Sequence, residues 1–194
     1  MTSPPFTPLE DRFVGELEKL EINEERATLA QLRRGLGKPL GFVAERDGWV
    51  LRRLPDLSQR ELSGFAAIAS LFALHSELGG SGSLGESYRR LALLNPSSDG
   101  GPNPSVEKRF VALLNSNSED LPDRLRHAVS LLKANNLAIG WRQLLHDVLR
   151  WDSSWRTVQI NWSRDFWGSR RFSATEGEAA TVTAPQLEAE MAST

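Results

Sequence analysis

Between Ser105 and Trp167, apolar residues return every three or four positions through four successive segments separated by short polar breaks. This period fits α-helices and leaves no room for the strict alternation of a strand. The first segment sets Val106, Phe110, Leu113 and Leu114 on one face, with Asn103 placed to cap it and Pro104 at the first helical position. The second carries Leu125, Ala128, Val129 and Leu132 and stops at Asn135-Asn136, since asparagine tolerates the left-handed backbone that ends helices. The third places Trp141, Leu144, Leu145, Val148 and Leu149 at i, i+3, i+4, i+7 and i+8. The fourth follows Asp152-Ser153 and runs through Trp155, Val158, Trp162 and Phe166. The pattern predicts a four-helix bundle over residues 105–167.

The upstream half reads as helices of the same kind. Phe13, Leu17 and Leu20 describe a short acidic amphipathic helix, and Asn23 is placed to cap a second with Leu29, Leu32 and Leu36 inward. The glycines and proline of RRGLGKPLG end it. Residues 42–57 read as an irregular connection anchored by Trp49, Val50 and Leu51. Ser58 with Glu61 and Ser83 with Glu86 form two capping boxes. The first opens a helix that bears Arg60 and buries Leu62, Phe65, Ala66, Ala69 and Phe72; the second opens one with Leu84, Tyr88 and Leu91. NPSSDGGPN at 95–103 suits neither helix nor strand. The expectation is an all-α fold of two small helical bundles packed together, 8–94 and 105–167, joined by a Pro/Gly/Ser-rich linker at 95–104. Residues 172–194 hold four acidic side chains, no basic ones and few large apolar groups, so they are expected to form a disordered acidic tail.

The formal net charge of −2 conceals an uneven distribution. The first 25 residues carry a balance of −5, whereas residues 26–171 carry +7, and 19 of the 23 basic side chains are arginine. Arginine's planar fork matches phosphate oxygens better than a lysine point charge does. The cations also fall in helical register: Arg26 with Arg33, Arg126 with Lys133, and Arg142 with His146 and Arg150. Arg34 and Lys38 sit together further round the second helix.

Several chemistries are disfavoured. The chain has no cysteine, which removes disulfides, thiol nucleophiles and thiolate metal sites. His127, His146-Asp147 and Asp165 echo a metal phosphohydrolase set, but their spacing places them off the apolar stripes, as solvated groups on separate helices. GLGK lacks the strand, the glycine spacing and the Ser/Thr of a phosphate loop. Trp141, Trp151, Trp155 and Trp162 fall on core faces and read as packing rather than base-stacking platforms. No nucleophile elbow or HExxH phrase occurs. The expectation is no catalytic, metal or cofactor site. No apolar run approaches membrane-spanning length and the first residues lack a signal-peptide pattern, so a soluble cytoplasmic protein without membrane association is expected.

RATLAQLRRGLGKP, LFALH, VEKRFVALLN, EDLPDRLRHAVSLLK, WRQLLHDVLRWD and the closing RDFW occur in this order. Together they resemble the CasB-type small subunit of the type I-E CRISPR Cascade complex. The resemblance implies a non-catalytic all-α protein, present as a pair of copies beside the backbone and large subunits. Its basic face would help hold crRNA, target and displaced DNA strands, stabilising the R-loop, with sequence specificity delegated to base pairing. On the matched phrases it points to Arg33, Arg34, Lys108, Arg109, Arg126 and Arg142; Arg26, Lys38, Arg60 and Lys133 complete the candidate nucleic-acid-binding set. A helical protein-interaction adaptor without direct nucleic-acid binding is the alternative.

Overall fold

A computed structural model describes residues 6–168, and among them the chain forms helices and no strand. The helices are α1 (Pro8–Ile22), α2 (Arg26–Arg33), α3 (Ala44–Leu51), α4 (Gln59–Leu74), α5 (Leu84–Leu94), α6 (Pro104–Leu114), α7 (Leu121–Ala134), α8 (Trp141–Leu149) and α9 (Thr157–Trp167). The expected acidic tail lies outside the described residues.

Local chemistry sets the helix starts. Thr7 and Glu10 form a reciprocal capping box on α1, and Ser58 and Glu61 form the expected one on α4. Asn103 accepts from the backbone N–H groups of Ser105 and Val106 at the head of α6. Ser83 fulfils only half of its box: it accepts from the Glu86 N–H, but its hydroxyl donates to Asp165 on α9. Asn23 differs from its reading. It ends α1, donating its N–H to the Lys19 and Glu21 carbonyls, and α2 starts at Arg26 without a side-chain cap.

Residues 42–57 are not irregular, because 44–51 form α3. This helix was concealed by its buried face, which holds Arg46 and Asp47 beside Trp49 and Val50, so apolar periodicity does not mark it.

The centre of the molecule is α4, apolar nearly all round, with Leu62, Phe65, Ile68, Leu71 and Phe72 all buried. Helices α2, α3, α7 and α8 pack around it. Beyond them, α1 lies on α2 and α8, while α5 lies against α6, α7 and α9. The connection at 95–103 therefore interrupts helix but not core, and one continuous apolar cluster runs from Phe13 on α1 to Phe166 on α9. The helices of 105–167 share that core with the upstream ones. Aromatic pairs join the parts: Phe13 meets Phe65 edge-on at 4.8 Å between centroids, Phe72 meets Trp141 at 5.5 Å, and Phe110 stacks on Phe166 at 4.5 Å. Gly85 lets α5 approach α9 closely, since a Cβ there would lie 2.3 Å from the Trp162 carbonyl oxygen.

Trp155 departs from its reading as a core residue. It is 82% exposed, because α9 begins only at Thr157, after a turn closed by Arg156 in left-handed backbone (φ 47°).

Candidate nucleic-acid interface

Two helices deliver cations to the carboxyl end of α4. Arg33, the last residue of α2, donates from Nε to the Ala73 carbonyl at 2.7 Å, and Lys133, in the last turn of α7, donates from Nζ to the Leu74 carbonyl at 2.7 Å. These carbonyls belong to the negative pole of the α4 dipole, which attracts cations. Both side chains remain exposed, so each is oriented by one donor and keeps others for solvent or a ligand. On the same side of α4, Lys38 and Asp123 line a shallow pocket between the α2–α3 connection and the start of α7. Arg126 lies 3.6 Å from Asp123 and 3.5 Å from the His127 ring. Thus Arg33 and Lys133 sit at the carboxyl end of α4, while Lys38 and Arg126 lie toward the start of α7, where Asp123 and Glu119 are also placed.

The connection that carries Lys38 is held from below by Arg46, whose side chain is 1% exposed. Its Nη1 donates to the carbonyls of Gly35 (3.0 Å) and Lys38 (2.8 Å), Nη2 to that of Pro39 (2.7 Å), and Nε to Asp47 Oδ1 (2.7 Å). Nη2 also lies 2.6 Å from Asp47 Oδ1 as an ion-pair contact. Asp47 Oδ2 in turn accepts from the Gly41 and Val43 N–H groups. The glycine-rich phrase serves this arrangement. A Cβ at Gly35 would lie 2.5 Å from both Arg46 Cδ and Ser70 Oγ, and Gly37 has φ of +68°.

The α8 stripe has a different fate. Arg142 meets Glu18 through Nη1 (3.2 Å) and Nη2 (2.9 Å) and Asp11 at 3.4 Å, while His146 and Arg150 lie 3.2 and 2.9 Å from Glu10. The acidic face of α1 therefore covers it. Burial alone would raise the Glu10 pKa, but hydrogen bonds from Arg150, the Thr7 N–H and His146 hold it below the usual carboxylate range.

His146 and Asp147 are buried rather than solvated, correcting the sequence reading. Asp147 accepts from Trp162 Nε1 at 2.6 Å and Gln143 Nε2 at 2.9 Å. Burial nonetheless pushes its carboxyl up to about 6 against those bonds. Among the described residues, no three His, Cys, Asp or Glu side chains come together as a set that could hold a metal ion.

The remaining candidates are dispersed. Arg26 lies 3.5 Å from Glu21, Arg34 3.7 Å from Glu45 on α3, and Arg60, at the opposite end of α4 from Arg33, 2.7 Å from Asp152. Lys108 and Arg109 project from α6, exposed and without an ion pair among the described residues. The ten candidates thus divide into the group beside α4, the pair on α6, and cations paired elsewhere. The sequence reading also missed an exposed aromatic groove between α6 and α9, lined by Trp155, Arg156, Arg164 and Trp167. Its only signal was a tryptophan beside an arginine just before a helix start.

The family model for the CRISPR-associated protein Cse2 matches residues 28–167. The chain belongs to the Cse2 family. A Cse2 protein from Thermus thermophilus is 33% identical over 162 residues, spanning 82% of this chain and 90% of that protein. The crystal structure of a Cse2-family protein from the same organism superposes with a TM-score of 0.70 at 32% identity, covering 82% of this chain and 97% of that one. M. ruber CasB gives 0.67 at 31% identity, over 90% and 99% of the two chains. A chain of a CRISPR RNA-guided surveillance complex shares the Cse2 fold with a TM-score of 0.69 at 23% identity, over 88% and 98%. All-helical architecture is common to this chain and its Cse2 relatives.

Proposed function

We propose that this Cse2-family chain is a non-catalytic small subunit of a type I-E CRISPR Cascade surveillance complex, acting in the cytoplasm in antiviral defence. It binds nucleic acid without sequence preference and stabilises the R-loop formed by crRNA, target strand and displaced strand. Its protein partners are the backbone and large subunits and a second copy of itself. The observation that carries the reading is that Arg33 and Lys133 converge on the carboxyl end of α4, each held by a backbone carbonyl, with Lys38 and Arg126 on the segments that flank the same helix. Guanidinium and ammonium groups held this way engage phosphate oxygens and read backbone rather than base edges.

Binding to single-stranded and duplex oligonucleotides across a salt series tests the reading. Four phosphate contacts give a logarithmic salt slope of about −2.8 on single strands and about −3.6 on duplex, equal for a sequence and its scramble. A flat salt response, or no binding at all, refutes it and favours the protein-interaction adaptor.

A further inference from the structure

The groove between α6 and α9 is a feature that the cation group does not use. It is open, with a volume of about 780 Å³, and is lined by Leu114, Trp155, Arg156, Ile160, Arg164 and Trp167 together with small polar side chains. Among the described residues no carboxylate lines it. Its most prominent residue is the exposed Trp155, on a turn fixed at both ends. Trp151 is buried and donates from Nε1 to the Ser116 carbonyl at 3.2 Å; the Arg156 N–H donates to the Ser153 carbonyl at 2.9 Å. The Arg156 guanidinium also donates to the Leu114 carbonyl at the end of α6, holding the left-handed residue that turns the indole outward. Left-handed backbone at a non-glycine residue carries strain, which persists where the surroundings over-determine it.

A second observation lies deeper in the groove. Gln159 is 5% exposed and donates from Nε2 to the Trp151 carbonyl at 3.0 Å, but its Oε1 has no hydrogen-bond partner among the described residues. That oxygen is closed off from solvent, so Gln159 ties the groove floor to the Trp151 turn through its Nε2 alone. Among the same residues Arg164 meets the side chain of Asn161 alone, at 3.4 Å. Lys108 lies two α6 turns before Asn115, at i and i+7, and Asn115 lines the groove.

We propose that this groove is a stacking site for single-stranded nucleic acid, with one base on the Trp155 indole and neighbouring phosphates on Arg156 and Arg164. The assignment rests on the nucleic-acid-binding function proposed above. An exposed aromatic beside cations is an arrangement by which proteins hold unpaired strands without regard to sequence. A duplex keeps its bases within the helix and gains nothing from the indole.

The test is fluorescence anisotropy of the full chain with labelled oligo(dT), oligo(rU) and a DNA duplex of about 12 nucleotides or base pairs, a length within the site sizes of such proteins. Trp155→Ala weakens single-strand binding about 5- to 100-fold, Trp155→Phe retains most of it, and duplex binding stays unchanged. The salt slope is unaltered in Trp155→Ala, because the indole carries no charge, whereas Arg164→Ala flattens it by about 0.7. The oligo(dT) and oligo(rU) arms show whether DNA, RNA or both use the ring. Equal single-strand affinity of wild type and Trp155→Ala overturns the stacking site while leaving the proposed function standing. The site is also overturned if Trp155→Ala impairs only assembly with protein partners, or weakens duplex binding equally. Failure of the wild type to bind any of the three removes the proposed function, and the site with it.

Discussion

Replacing Arg46 by methionine removes a buried charge that makes four hydrogen bonds, while keeping most of the side chain's length. Three backbone carbonyls, of Gly35, Lys38 and Pro39, lose a donor, and the buried Asp47 loses its countercharge. Removing one partner of a buried ion pair costs about 3–5 kcal/mol, because the other is left uncompensated. Against a total stability of about 5–15 kcal/mol for a domain, this is a large fraction. Arg46→Lys recovers little, since three donors on one nitrogen cannot span carbonyls and carboxylate together. Urea unfolding gives the free energy, and hydrogen exchange at 35–43 shows where the change lies. Faster exchange confined to that segment, with a lower urea midpoint, is the expected outcome. A loss below about 1 kcal/mol with unaltered exchange would refute the assignment of Arg46 as the support of the Lys38 segment.

Asp147→Asn reports a titration. The folded-state pKa is raised from 3.8 to about 6, so the folded protein keeps a proton that the unfolded chain releases. The associated stability is full below the unfolded value and lost as pH rises through about 6, by up to roughly 3 kcal/mol. The variant's Tm relative to wild type should therefore climb between pH 4 and 7; a difference independent of pH contradicts the raised pKa. Arg33→Ala/Arg34→Ala should flatten the single-strand salt slope by about 0.7, the share of Arg33, since Arg34 is paired with Glu45, and shorten R-loop lifetime in an assembled complex, at a stability cost of about 1 kcal/mol for the bond to Ala73. Arg170→Ala/Arg171→Ala is the control, and indistinguishable behaviour of the two pairs refutes the placement. Gly85→Ala forces a methyl against the Trp162 carbonyl and should cost about 1–3 kcal/mol, read as a lower urea midpoint at unchanged m value; an unchanged midpoint would show that α5 and α9 can separate.

Helices with a regular apolar stripe, such as α8, were legible from period alone, and so was the break at 95–103. Helix α3 was not, because the groups it buries include Arg46 and Asp47, and periodicity counts only apolar side chains. Trp155 was misplaced for the converse reason. Its spacing continues the α9 stripe backwards, but a left-handed residue at 156 breaks the helical register before it reaches the ring. The candidate cations were found as residue types in register, yet register on one helix says nothing of what faces it. Arg142 and Arg33 look alike in sequence; one meets the carboxylates of α1 and the other the carbonyl end of α4. Long-range partners of this kind, more than a hundred residues away for Glu18 and Arg142, leave no local trace.

The apolar cluster that crosses the 95–103 connection gives the molecule the mechanics of a single strut. Helix α5 cannot swing away from α9, nor α4 from α8, without opening that shared interior to water, so the Gly/Pro-rich connection is no hinge. The cations beside α4 and those on α6 consequently keep a fixed separation and bearing. A strand bound by both, as proposed above, would follow the path between them, and within a larger particle that changes shape the described residues would move as one block.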